Sequence, residues 1–543
     1  MRFWLLGAAL ALLAPAAAQA QWHEASTTHF RVFAEGKPEE VRDFATRLER
    51  FDKGLRHLNR LADEDLGRAN RVTVYVLPNI AAVRKLARGG DTIAGFYIPR
   101  AGGSVAFTPR RAGDGSRWDL DAQTILLHEY SHHFMLENYA TSVFPGWFIE
   151  GFAEFNSTAR FDPDGSLGFG LPANHRAYEL VLTESTPIEV LFGSEEGRKP
   201  SAPGGAVIYG WGWLLTHYLT FEPSRRGQLS AYLAALSSGK TGLEAARTAF
   251  GNLRVLDRDL KAYRKRKRLN FASIAPAALP IGPVAVRPLR PGEAAVMQLR
   301  IRSDRGVDAA QAKSLVIDMR RAAAPYPNDP AVQAALAEAE YDASNYDAAE
   351  AAADRAIAAD PANVEALTYR GRVAMARAAE SKEPVGAAAW SEVRRRMLAA
   401  NKVDPNDPAP FILYYDSYRA QGIAPTANAV KGLERAFELA PQDQSLRMRM
   451  ARQYLVDGKG AEARAILVPL AFDPHGGALA EVIQAIVAKI DGDGASAALT
   501  YWDSQSEEES EKDPPPKGKK GAPAAGGAQV RAVVARLDEG GGG

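Results

Sequence analysis

Thr124-Ile-Leu-Leu-His128-Glu129-Tyr130-Ser131-His132-His133-Phe134 runs without glycine or proline and carries apolar residues on both sides. The run reads as a helix. At 3.6 residues per turn, His128 and His132 stand one above the other on the same face. Two neutral imidazoles so placed can clamp one divalent ion at about 2.0–2.1 Å. Glu129 is turned about 100° from His128, so it is poorly aimed as a ligand and well aimed at a water beside the ion.

A short pattern of this kind recurs by accident in long chains, so it needs a third ligand. Pro145-Gly-Trp147-Phe148-Ile149-Glu150-Gly151-Phe152-Ala153-Glu154-Phe155 opens with a helix-start signal and carries carboxylates at i and i+4. Glu150 follows His132 by eighteen positions, enough for one reversing loop and a return helix. A carboxylate flanked by Phe148, Ile149 and Phe152 would be expensive to bury without a cation. His128, His132 and Glu150 thus form a candidate metal set with one coordination position open. Glu154, one turn on, can fix the tautomer of a ligating histidine through its far nitrogen; the alternative is an ordinary solvated helix charge.

His128-Glu129-x-x-His132 followed by Glu150-Gly-Phe-Ala resembles the gluzincin metallopeptidases, the superfamily of thermolysin and the zinc aminopeptidases. Tyr209-Gly-Trp-Gly212-Trp-Leu-Leu is similar to the aminopeptidase segment whose tyrosine stabilises the oxyanion, and the resemblance implies that role for Tyr209. The Gly-x-Met-Glu-Asn motif that holds a free amino terminus has no counterpart between Asp91 and Asp121, which puts aminopeptidase specificity in doubt. The whole chain looks most like exported peptidase MA-like proteins whose catalytic region precedes tetratricopeptide repeats. What the resemblance implies is one Zn²⁺, Glu129 as general base, and an edge strand that pairs with the substrate backbone. By it, Ser104, Val105, Ala106 and Phe107 are the candidate substrate-binding edge, a structural hairpin being the alternative.

With 46% apolar residues over 543 positions the chain can build two or three cored domains. A formal charge of +1 implies no attraction to nucleic acid or anionic membrane. The absence of cysteine excludes disulfides and thiolate metal sites. Met1–Ala20, with one arginine, an apolar run and Ala18-Gln-Ala20, reads as a signal peptide, so the expected location is exported, periplasmic or secreted, with no membrane span after cleavage.

The expected fold class is an α+β catalytic domain followed by an all-α tetratricopeptide superhelix. The first domain spans 21–270: strands around Phe30, Val74, Phe96 and Val105, an amphipathic helix over 38–60, and a thermolysin-like helical region around the site. The Gly- and Pro-rich stretch 193–205 reads as a loop, with a lid over the site as the sharper alternative. His175 and His217 compete with Tyr209 as electrophile, and His133 points off the motif face. The basic run 261–268 reads as a solvated helix end.

Prolines over 271–306 mark a connector. From 307 to 500, Asp329-Pro, Asp360-Pro, Asp404-Pro, Ala440-Pro and Asp473-Pro recur at steps of 31, 44, 36 and 33 residues, against the 34 of a tetratricopeptide repeat. The insertion 380–388 accounts for the long step. Such arrays offer a concave face to a peptide or protein partner, or merely brace their neighbour. Residues 504–543 are too polar to pack and are expected to be disordered. The implied function is zinc-dependent peptide hydrolysis. The alternatives are a periplasmic repeat scaffold with a vestigial or structural metal site, and hydrolysis of a non-peptide amide.

Overall fold

The computed structural model describes residues 21–64, 67–88, 93–112, 121–183, 186–193, 204–473 and 476–512. The expected leader 1–20, most of the 193–205 loop and the chain beyond 512 lie outside the described residues.

The first half is built on β1 (Trp22–Ser26), β2 (Phe30–Glu35), β3 (Val72–Leu77), β4 (Phe96–Ile98) and β5 (Val105–Pro109). α1 (Pro38–Asn59) and α2 (Ile80–Ala87) make the connections. Pro38 opens α1, Glu39 and Glu40 lie in its first turn, and Arg56 and His57 lie in its last, an order that suits the helix dipole. All six residues of β3 are buried, as expected of a central strand covered on both faces. Side chains alternate between two cores. Val32, Val74 and Ala106 face α1, whereas Phe33, Tyr75 and Phe107 face α2.

The strand order corrects the proposed substrate edge. β5 lies between β4 and β3, with Val105 opposite Thr73 on one side and Ile98 on the other. Ser104, Val105, Ala106 and Phe107 are all buried, and the backbone of β5 is committed to its neighbours. The outer strand on this side is β4. The short Phe96–Ile98 run pairs back outside β5.

The helical region follows: α3 (Ala122–Asn138), α4 (Gly146–Ser157), β6 (Arg160–Phe161), β7 (Leu167–Phe169), α5 (Ala177–Leu182), α6 (Gly204–Phe221), α7 (Gln228–Ser237), α8 (Gly242–Phe250) and α9 (Leu253–Arg264). β8 (Ala272–Ile274) joins β6 and β7 in a second small sheet. The basic run closes α9 with surface pairs, Lys261 to Asp257 at 2.8 Å and Arg266 to Glu222 at 3.0 Å.

The 271–306 stretch is not a connector. It supplies β8, then β9 (Ala285–Pro288), which pairs antiparallel with β1, and then α10 (Pro291–Arg305), whose Met297 and Ile301 fill the core over Phe33, Tyr75 and Phe107. Its prolines end an outer strand and open a helix, positions where a missing N–H costs nothing.

α10 also begins the repeat array. It pairs with α11 (Ala309–Ala323), and four further hairpins follow: α12 (Pro330–Asp342) with α13 (Tyr346–Ala359), α14 (Val364–Glu380) with α15 (Ala387–Val403), α16 (Pro408–Ala420) with α17 (Ala427–Leu439), and α18 (Gln444–Val456) with α19 (Gly460–Ala471). Asp329, Asn363, Asp407 and Asp443 cap the leading helix of each of these four. Alanines such as Ala334, Ala337, Ala353 and Ala356 let the paired helices approach. The long step resides mainly in α14 and α15, 17 residues each, and less in the loop between them. α20 (Gly477–Lys512) bends at Gly494, where φ is 84°. The tail expectation is corrected at its start, because the helix continues through 504–512, a stretch rich in glutamate, a good helix former. The architecture is an α+β half continued by an α-helical repeat array, and no described helix is long and apolar enough to cross a membrane.

Candidate metal centre

α3 starts at Asp121, whose carboxylate accepts from the Thr124 N–H at 2.9 Å. The helix buries Ile125, Leu126, Leu127, Tyr130 and Phe134, which leaves His128 and His132 on the face turned toward α4, with Tyr209 of α6 beside His128. α4 returns antiparallel after the loop 139–145. Two glycines set its distance from α6. A Cβ on Gly151 would lie 2.4 Å from the Gly212 carbonyl oxygen, and one on Gly212 would lie 2.4 Å from that of Trp147. Only glycine allows this backbone contact, and the contact brings Tyr209 beside the Glu150 turn.

The sequence-predicted ligands converge. His128 Nε2 and His132 Nε2 are 3.1 Å apart, and Glu150 Oε2 lies 3.4 Å from the first and 3.7 Å from the second. Donor atoms of all three residues fall within 4.8 Å of one another. Glu150 is fully buried, while the imidazoles keep 15% and 17% exposure, so the site opens on the histidine side. Two imidazoles and one carboxylate, all pointed at one small volume, suit a divalent ion of zinc type. Burial alone would lower the His128 pKa, but the Glu150 and Glu154 carboxylates outweigh it and push it up to about 10.

Glu154 lies behind His128, its Oε1 3.3 Å from Nδ1. It also receives His175 Nε2 at 2.8 Å and Arg176 Nε and Nη2 at 2.9 and 2.6 Å. Burial would raise this carboxyl, yet the bonds from His128 and His175 and the Arg176 charge hold it well below the usual range. Tyr209 stacks near His128, with centroids 6.3 Å apart, and the Arg176 guanidinium sits 4.5 Å from its ring centre. Burial, together with Glu150, pushes the Tyr209 phenol up, so it stays a hydrogen-bond donor. Glu129 is half-buried, and its charge adds to the upward shift of both Tyr209 and Tyr97.

Neither competing histidine is placed as an electrophile. His175 is spent on Glu154. His217 is buried in the core, held by the carbonyls of Gly170 and Asn270 and by the Tyr263 hydroxyl, and burial pushes it down to about 4. His133 meets the Tyr97 hydroxyl at 2.6 Å and is pushed down to about 3 by burial. Sequence reasoning missed Arg176 and Glu179, which form a 2.9 Å pair, with Glu179 also accepting from the Gly210 N–H at 3.1 Å. An i,i+3 pair in a short segment was the one signal available, and surface helices carry many such pairs.

A second cluster, His29, Asp52 and Asp63, also brings candidate ligand atoms together. Its carboxylates are already matched. Arg56 Nε holds Asp52 at 2.8 Å, Lys53 holds Asp63, and His29 Nδ1 meets Glu49 at 2.8 Å.

No protein-family profile and no curated protein matches the chain. Among solved structures, a thermophilic tetratricopeptide-repeat protein of Thermus thermophilus is 18% identical, with 37% of this chain and 96% of that one covered and a TM-score of 0.29. PilF of Pseudomonas aeruginosa is 16% identical, with 44% and 96% covered and a TM-score of 0.29.

Proposed function

We propose that this protein is a zinc-dependent metallopeptidase of gluzincin type, with His128, His132 and Glu150 holding the metal. The observation that carries the reading is the convergence of these three side chains, with Glu150 fully buried against the two imidazoles. Bound zinc would supply Lewis acidity toward a water and toward a scissile carbonyl. Glu129 takes a proton from the attacking water and returns it to the leaving amine. Tyr209 donates a hydrogen bond to the oxygen on which negative charge develops. Glu154 keeps His128 in the tautomer that presents Nε2. Since β5 is covered on both sides, the backbone of an extended substrate has β4 as its pairing edge.

The test is Glu129→Gln on the purified protein, assayed against a mixed peptide library with and without chelator. Hydrolysis should vanish while one zinc per chain remains bound. Equal turnover in that variant would remove Glu129 as the base, and zinc binding with no cleavage by the native protein would favour the scaffold reading.

A further inference from the structure

The repeat array does not hang free of the candidate site; it seizes the two pieces of chain that border the metal helices. In the β4–β5 hairpin, the Ala101 N–H donates to Asp443 Oδ2 at 2.7 Å, and Ala101 packs into the core of the last repeats. Gln442, buried at 2% exposure, reaches the Arg100 carbonyl oxygen and Ser104 Oγ at 3.5 and 3.4 Å. Asn70 Nδ2 donates to the Asn406 carbonyl oxygen at 2.8 Å. In the loop between α3 and α4, the Ala140 carbonyl accepts from Arg447. Arg447 is itself 1% exposed, and its other acceptors are the carbonyls of Pro441 and Ile466, at 2.7 and 3.1 Å.

A buried guanidinium answered by three carbonyls is costly to desolvate. Its cost is offset where it ties three segments together. From the hairpin a hydrogen-bonded path continues inward: Ser104 Oγ accepts from the Tyr97 hydroxyl at 2.9 Å, and that hydroxyl meets His133 Nδ1 at 2.6 Å. His133 is the neighbour of His132 on α3.

We propose that α16 and α18, through the turns that lead into them, form an intramolecular clamp whose occupant is the hairpin 99–104 and the loop 139–145 of the same chain. Asp443, Gln442 and Arg447 are positioning residues. They fix the outer strand β4 and the turn between the two metal-bearing helices. This inference rests on the metallopeptidase reading for its effect on turnover, and on geometry alone for the docking itself.

The experiment uses the full-length zinc-loaded protein and compares it with Asp443→Asn and Gln442→Ala. Asparagine keeps the cap of α18 but replaces the oxygen facing Ala101 N–H with a donor or a weaker acceptor. Hydrogen–deuterium exchange across 97–105 should speed up about tenfold or more, with the rest of the array unchanged. Zinc affinity by chelator competition should fall about threefold or more, less than the ~10–100-fold of losing a ligand's own hydrogen-bond partner, and kcat should fall with KM little changed. Unchanged exchange in the hairpin would overturn the clamp, as would loosening spread evenly over all the repeats. Faster exchange with zinc affinity and kcat both intact would overturn the positioning role. Should the native protein cleave no peptide, the metallopeptidase reading fails, while exchange and zinc competition still decide the clamp.

Discussion

At the scale of single residues, what made the centre readable was chemistry that has few other uses. A glutamate between phenylalanines has one economical fate, and Glu150 is fully buried against the two imidazoles. Tyr209 was placed by its likeness to a motif, and its ring lies 6.3 Å from that of His128. Tyr209→Phe should lower kcat about 10²–10³-fold, the usual cost of one oxyanion donor, with zinc affinity unchanged; an unaltered kcat would assign Tyr209 to packing. The ion network around His29 was invisible in sequence, because its members come from the turn before β2, from α1 and from the loop after α1. Burial opposes the charge on His29, but its bond to Glu49 and the Asp52 charge carry its pKa from 6.5 to about 9, with Arg56 acting against them. Asp63 at 3.3 Å and the Tyr130–Asp52 bond complete its surroundings. A raised folded pKa contributes stability that is full below the unfolded value near 6.5 and lost as pH climbs through 9. The unfolding free energy from denaturant titrations should therefore fall between pH 6.5 and 9.5, by up to about 1–3 kcal/mol. His29→Gln should flatten that slope.

At the scale of elements, helices with a strong local signal were legible and sheet order was not. The uninterrupted Thr124–Phe134 run and Pro145 announce α3 and α4, and the recurring punctuation at Asp329-Pro, Asp360-Pro and Asp404-Pro announces the repeats. The phase of the array was harder: Asp329 caps a helix, whereas Asp360 and Asp404 end one, although all three precede proline. The place of β5 inside the sheet depends on which strand folds back outside it, and a hairpin pattern says nothing of that. The helix contact that aligns Tyr209 rests on Gly151 and Gly212. Gly212→Ala would put a methyl group 2.4 Å from the Trp147 carbonyl oxygen. Overpacking of this kind should cost about 1–3 kcal/mol and lower Tm, and activity should fall further than the melt alone explains. An alanine variant with native Tm and native activity would show that α4 and α6 can part without consequence.

At the scale of the whole molecule, the prolines over 271–306 suggested two bodies on a tether, but the chain there is stitched into both. β9 completes the first sheet, and α10 puts Met297 and Ile301 into the core beneath it before opening the repeats. Arg305 donates to the carbonyls of Leu86 and Ala87, at 3.1 and 2.8 Å, closing α10 against α2. Halves that share a core and a sheet have no cheap way to melt apart. Thermal unfolding should give one transition, with tryptophan fluorescence and far-ultraviolet dichroism coinciding. Ile301→Ala, a change in the first repeat helix, should cost about 2–5 kcal/mol and lower the midpoint by both probes together, because the cavity forms under Tyr75 and Phe107 of the first half. Two separated transitions in the native protein, or a loss in Ile301→Ala confined to the helical signal of the repeats, would mean that the array is an appended module after all.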